Sequence, residues 1–287
     1  MRTVSDFSDK RDNSVKIMPS LQFLKEKARD TRKETLNLTR ISPGFRVASS
    51  LSDVEIFVTL YYGGILKFDP RNPQWEERDR FIVSKGHGAI SLYPILADLE
   101  FFDKSELQRM SQPGSFLGDI PDTRVPGFET INGALGHGLG VAAGIALALK
   151  RKSSVAKVFV LVSDGELYEG AVWEAIMFAS EHKLGNLMAI VDSNKRSMLG
   201  ECKNIIDLEP LKNKFSTFNW RTSVADGHNI EAIYNALSGF KADENAYPTA
   251  LIAETIKGKG VPELESDPLC HVRALKEEEI IKAIKSL

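Results

Sequence analysis

The sequence predicts an α/β fold: a parallel sheet with helices on both faces. Two runs carry most of that reading. Val158-Phe159-Val160-Leu161-Val162 and Leu187-Met188-Ala189-Ile190-Val191 are apolar throughout, as strands buried on both sides are. Between them, Val172 to His182 spaces its apolar residues as a helix does, so the segment reads as a βαβ unit. With 287 residues, 43% hydrophobic and 26% charged, the chain can bury a sizeable core.

Composition narrows the function classes. The 37 basic and 39 acidic side chains leave a formal charge of −2, which gives no support for a nucleic-acid or anionic-membrane surface. Cys202 and Cys270 lie far apart, so neither a disulfide framework nor a Cys-rich zinc site is written here, and a reduced, cytoplasmic setting is expected. The apolar run Leu139–Leu149 is too short to cross a bilayer and contains Gly140 and Gly144. Met1 to Ser20 lacks the apolar stretch of a signal peptide. Residues 1–18 are expected to be a flexible arm, with 19–287 forming one domain.

In chain order, Leu21, Leu24 and Ala28 begin a helix after Pro19. Ser52-Asp53-Val54-Glu55 resembles a capping box opening a second helix that runs to about Tyr62. Phe81-Ile82-Val83 is a short buried strand ending in Ser84-Lys85-Gly86-His87-Gly88, and a helix follows through Leu92, Ile95, Leu96 and Leu99. Gly114 to Gly127 reads as a surface loop. Gly133 to Leu149 reads as a Gly- and Ala-rich helix, 222–225 and 249–253 as further strands, and 229–240 as a helix that Asn229 can cap.

The chemistry lies in Ser163-Asp164-Gly165-Glu166 and in Asn194, 28 residues after Glu166. Asp164 falls at the C-terminal end of one strand and Asn194 just past the end of the next. A right-handed crossover brings both to the sheet edge where open α/β sheets bind ligands. A carboxylate and an amide carbonyl are hard oxygen donors suited to Mg²⁺ that also grips phosphates, and Gly165 lets a diphosphate approach the backbone. Taken alone, the same residues also suit a plain βα turn and a helix cap.

The surrounding segments resemble one family. Asp164-Gly165-Glu166 with Asn194 is similar to the thiamine diphosphate motif, with Ser163 in place of its usual first Gly. The segments Glu169-Gly170-Ala171-Val172-Trp173-Glu174-Ala175, Ser84-Lys85-Gly86-His87, Gly133-Ala134-Leu135-Gly136, Asp226-Gly227-His228 and Lys257-Gly258-Lys259-Gly260 resemble the cofactor-binding half of transketolase. The resemblance implies that Asp164, Asn194 and the backbone carbonyl of Arg196 bind Mg²⁺, and that Gly165 and Glu166 lie against the diphosphate. Leu135, with Gly136 beside it, sits where the family meets the aminopyrimidine. His87 and His271 match histidines lining the substrate channel. Glu169 matches an interface carboxylate, although an N-terminal helix charge favoured by the dipole explains it equally. His228 and His182 read as structural.

Departures from the family bear on substrate. Arg46 stands at or beside a family histidine and, as a permanent cation, can hold a carboxylate or phosphate bidentately. Asp119 replaces a loop histidine, and His137 replaces a Gln. The resemblance also implies a second, pyrimidine-binding domain carrying the Glu that activates the cofactor, and no segment here matches it. It therefore implies a separately encoded partner in an α2β2 enzyme that transfers a two-carbon ketol unit. The alternatives are part of a decarboxylating carboligase and a non-catalytic regulatory subunit.

Overall fold

The computed structural model describes residues 19–131 and 133–287; the expected arm over 1–18 lies outside them. The chain opens with α1 (Leu21–Ile41), whose Ser20 cap accepts the Phe23 N–H, and continues through α2 (Val47–Leu51) and α3 (Val54–Tyr62). β1 (Arg80–Val83), α4 (Leu92–Asp98), α5 (Gly138–Arg151), β2 (Val158–Ser163), α6 (Gly170–Glu181) and β3 (Leu187–Ser193) follow. After a hairpin of β4 (Arg196–Ser197) and β5 (Gly200–Glu201) come α7 (Leu211–Thr217), β6 (Arg221–Asp226), α8 (Ile230–Ala242), β7 (Thr249–Glu254), α9 (Pro262–Glu265) and α10 (Glu277–Ser286).

All five strands of the main sheet are parallel, in the order β1-β2-β3-β7-β6. Alternate residues of the apolar runs serve opposite faces. Phe81, Phe159, Leu161, Met188, Ile190 and Leu251 pack on one side with α1, α3, α4 and α8. Ile82, Val160, Val162, Ala189, Val191 and Ile252 pack on the other with α5, α6 and α7. Neither face reaches water, which is why the runs are apolar without a break.

This arrangement also positions the site. The chain steps from β1 to β2 to β3 through α5 and α6 on one face, then runs from β6 to β7 through α8 on the other. The direction of winding reverses between β3 and β7. A crevice opens at the carboxyl ends of the strands at such a reversal.

The structure revises several local expectations. The helix expected from Ser52 to about Tyr62 forms as α3 from Val54, preceded by the short separate α2, and the capping box does not form. Ser52 closes α2, its hydroxyl donating to the Ser49 carbonyl at 3.0 Å and to Asp192 at 2.9 Å. Glu55 instead turns to the buried Arg32 at 2.6 Å, which has the greater need of a carboxylate. The helix expected from Gly133 begins at Gly138. Gly136 interrupts it with φ +87°, and a Cβ there would come 2.7 Å from the Glu169 Cβ, so only glycine fits. The 114–127 loop is anchored through buried Leu117 and Val125 and by the Tyr93 hydroxyl on the Gly118 carbonyl at 2.8 Å. β6 is a half-exposed edge strand.

At the centre, fully buried Lys85 follows β1 and lies between two buried carboxylates. It hydrogen-bonds Asp192 and sits 2.6 Å from Asp53. Neither Asp53 oxygen forms a directed hydrogen bond, so that contact is Coulombic. Removing one member of such a group strands the others without compensation. Lys85→Met is expected to cost the folded chain roughly 3–5 kcal/mol, read as a lowered midpoint in urea denaturation.

Candidate active site

Three strand ends build the site. Asp164 follows β2, and its carboxylate accepts N–H bonds from Gly165 at 2.8 Å and Lys195 at 2.5 Å. Burial, then the nearby Asp192 charge, push its carboxyl up to about 6; a cation beside it would relieve both effects. Asn194 follows β3. Its amide nitrogen donates to Asp192 at 2.8 Å, which turns the carbonyl oxygen the other way, where it accepts the Arg196 N–H at 3.0 Å. The Arg196 carbonyl accepts the Lys257 ammonium at 3.0 Å, and Lys257 follows β7.

These donors fit a divalent ion shared with a phosphate ligand. Asp164, Asn194 and the Arg196 carbonyl are all hard oxygens on adjoining strand ends, the donor type Mg²⁺ takes. Among the described residues no three His, Cys, Asp or Glu side chains cluster as a metal site. A set with one carboxylate suits a metal that completes its coordination with diphosphate oxygens. Lys257, buried and held below its usual pKa by burial and by Lys85, adds a cation on the same wall.

The Glu166 side chain is turned inward, beside the Gly165 backbone. Its carboxylate is buried and accepts the Ser84 hydroxyl, the Gly136 N–H at 2.8 Å and the Ser163 N–H at 3.3 Å, while its own N–H donates to the Ser163 hydroxyl at 3.2 Å. Its polar groups are occupied inside the protein, so it fixes the shape of the wall. Gly165 is closely packed: a Cβ there would lie 3.3 Å from the Ser197 Cβ. Leu135 is half-buried, with its carbonyl 3.1 Å from the His137 ring, and Gly136 is buried beside it. Glu169 is exposed at the start of α6 and makes no capping bond.

His87 and His271 come together, their ring centroids 5.1 Å apart. Burial, then Lys85, His271 and Lys257, lower His87 to about 3. Burial, then Lys257 and Arg46, lower His271 to about 4. Both imidazoles are therefore neutral at ordinary pH, able to donate or accept one proton each. The Ser49 hydroxyl stands 3.5 Å from His271 Nδ1. Arg46 caps the start of α2 half-buried. Asp119 does not enter this group: its carboxylate accepts the Ser42 hydroxyl at 2.6 Å and the Ser111 hydroxyl at 2.7 Å, tying the 114–127 loop to the segment before α2. His228 is structural, donating to Glu55 at 3.0 Å and accepting the Ile256 N–H at 2.8 Å.

Sequence reasoning passed over Lys85, Asp192 and Lys257 as functional groups. The available signal was a lysine placed just after a buried strand in both Ser84-Lys85-Gly86-His87 and Lys257-Gly258-Lys259-Gly260.

Residues 43–287 match the family described as the transketolase thiamine diphosphate binding domain. The chain belongs to that family. It is 37% identical over 270 residues to one of the named subunits of apulose-4-phosphate transketolase from Actinobacillus succinogenes, covering 93% of this chain and 97% of that protein. It is also 37% identical over 257 residues to 6-deoxy-6-sulfo-D-fructose transketolase subunit SqwG of a Clostridium species, covering 89% of this chain and 92% of that one. The transketolase structure from Campylobacter jejuni superposes with a TM-score of 0.86 at 32% identity, covering 93% of this chain and 43% of that one. This transketolase-family chain thus spans about two fifths of that solved enzyme, and nearly all of the two relatives named as subunits. No helix among the described residues is long and apolar enough to cross a membrane.

The neutral histidines carry a stability cost in acid. Unfolded histidine takes a proton below about 6.5, whereas folded His87 takes one only near 3. Between those values the unfolded state binds more protons, so stability falls as pH drops. From pH 7.5 to 5, His87→Gln is expected to remove roughly 1–2 kcal/mol of this acid loss, read as a flatter pH dependence of the urea midpoint than in the wild type.

Proposed function

We propose that this chain is the diphosphate- and Mg²⁺-binding subunit of a split transketolase that moves a two-carbon ketol unit between carbonyl compounds. The observation that carries this reading is the oxygen set of Asp164, Asn194 and the Arg196 carbonyl at the winding reversal, with Lys257 beside it. In this reading Asp164, Asn194 and the Arg196 carbonyl hold Mg²⁺, and the backbone at Gly165 faces the diphosphate. Leu135 and Gly136 border the aminopyrimidine.

Bound thiamine diphosphate supplies a nucleophilic carbon that adds to a carbonyl and takes up the electrons of the broken C–C bond. The protein's share is positional. His87 and His271, held neutral, present N–H donors to the substrate oxygen where negative charge develops, and a neutral donor needs no counter-ion in a buried site. Glu166 and Ser84 keep the loop ending at Gly136 against the strand ends. Asp119 acts through the loop it anchors and does not face the substrate.

The relatives named as subunits support a separately encoded partner bearing the pyrimidine-binding domain, in an α2β2 assembly with Glu169 at or near the interface. The composition suits a cytoplasmic enzyme.

Two measurements test this reading. A tagged chain recovered from its native cells is expected to bring down a stoichiometric partner carrying the pyrimidine-binding domain; recovery of this chain alone removes the split-enzyme reading. In the recovered complex, thiamine diphosphate with Mg²⁺ is expected to raise the melting temperature by mass action, by about 2–3 kcal/mol of stability at a hundredfold excess over Kd. Asp164→Ala is expected to abolish that shift, and a shift of equal size in Asp164→Ala would overturn the metal assignment.

A further inference from the structure

Among the described residues, six other than glycine hold a left-handed backbone. Glu100, Ser111, Ser153, Lys183 and Asn219 each stand two positions after the last residue of a helical segment, where that conformation closes the helix. Lys195, with φ +63°, is the exception. It lies between β3 and β4, next to Asn194, where no helix ends. A side chain makes this conformation unfavourable, so the surroundings of the turn must hold it.

The turn puts two successive amides to use. The Lys195 N–H donates to Asp164 Oδ2 at 2.5 Å, and the Arg196 N–H to Asn194 Oδ1 at 3.0 Å. The amides on either side of the Lys195 α-carbon thus hold both side-chain oxygens of the strand-end set, and each oxygen keeps a second lone pair for a cation. The Lys195 carbonyl accepts the Cys202 N–H at 2.9 Å. Its ammonium pairs with Glu209, whose other carboxylate oxygen accepts the Leu211 N–H at 3.0 Å at the start of α7. A cavity of about 250 Å³ opens here, lined by both members of that pair and by Tyr168, Cys202, Ile206 and Leu208. The turn therefore lacks packed side chains on this side, and its position rests on hydrogen bonds and on the ion pair.

We infer that Lys195 is a positioning residue, whose left-handed backbone, clamped through Glu209, fixes the Asp164 and Asn194 oxygens for a metal ion. This rests on the reading of Asp164 and Asn194 as metal ligands. Where the turn relaxes toward the cavity, both oxygens lose their amide donors, and apparent metal affinity falls with the fraction of chains whose turn is formed. The side chain acts in two opposite ways. It disfavours the conformation at its own α-carbon and offsets that cost through Glu209.

The test titrates Mg²⁺ calorimetrically into the chain as recovered from its cells, with its partner where one accompanies it, in excess thiamine diphosphate; the same titration without protein is subtracted. Lys195→Ala keeps the conformational cost and loses the clamp, and is expected to bind Mg²⁺ about 3–5-fold more weakly, the reach of an exposed ion pair. Glu209→Gln is expected to show a similar loss, and the double variant no further one. Lys195→Gly takes up the left-handed turn freely and is expected to bind Mg²⁺ more tightly than Lys195→Ala, although glycine ordinarily loosens a chain. Amide hydrogen exchange over residues 194–202 reads the turn without metal and is expected to show more protection in Lys195→Gly than in Lys195→Ala. Additive losses in the double variant, or Lys195→Gly no better than Lys195→Ala by both measurements, overturn the inference. That exchange order, with no Mg²⁺ saturation in the wild type, overturns the metal reading in the proposed function and leaves Lys195 as the residue that positions the two oxygens.

Discussion

The pairing of Lys85 with Asp53 and Asp192 is the interaction on which the rest of the site depends. One ammonium joins the exit of β1, the junction of α2 and α3, and the last turn of β3. Asp192 then distributes the constraint, accepting the hydroxyls of Ser52 and Thr255 and the amide of Asn194. Burial opposes charge on every member. The Lys85 ammonium nonetheless holds Asp192 below the usual carboxylate range, while burial and Asp192 drive Asp53 well above it. One well-bonded pair and one protonation-prone carboxyl is the arrangement a low-dielectric interior tolerates. Asn194 owes its orientation to this network, which sets the direction of its side-chain carbonyl from beneath.

A second, independent knot shapes the opposite wall. Glu166 gathers Ser84, Ser163 and Gly136 around one carboxylate, so the loop entering α5 is held by β1 and β2 together. The two knots meet at neighbouring residues, Ser84 and Lys85, which face different networks. A strand of four residues thereby organises both sides of the crevice.

The sheet was legible in the sequence because its information is local. Val158–Val162 and Leu187–Val191 could be read as strands from their unbroken apolar character, and Asp164 and Asn194 follow from where those strands stop. What escaped depends on distant partners. Glu55 resembles a capping residue because Ser52 lies three positions before it, yet Arg32, in another helix, claims it. Lys85 reads as an ordinary charge in a Gly-rich turn, and its partner Asp192 lies 107 positions away. Glu166 is expected from the family resemblance to lie against the diphosphate, and the direction of its side chain is set by Ser84 and Gly136, which no local pattern announces. Charge pairs across a fold leave no periodic trace, and so pattern finds the scaffold before it finds the wiring.

The strand order has a consequence for how the crevice comes into being. β7 lies between β3 and β6, although both precede it in sequence. During synthesis, β1, β2 and β3 can associate early, but the space beside β3 stays open until β7 emerges. Thr255 and Lys257 arrive with it. Until then Asp192 lacks one of its hydroxyl donors, and the Arg196 carbonyl lacks its ammonium. The crevice at the strand ends is thus the last part of the sheet to mature, completed only when β7 joins, long after most of the core can form.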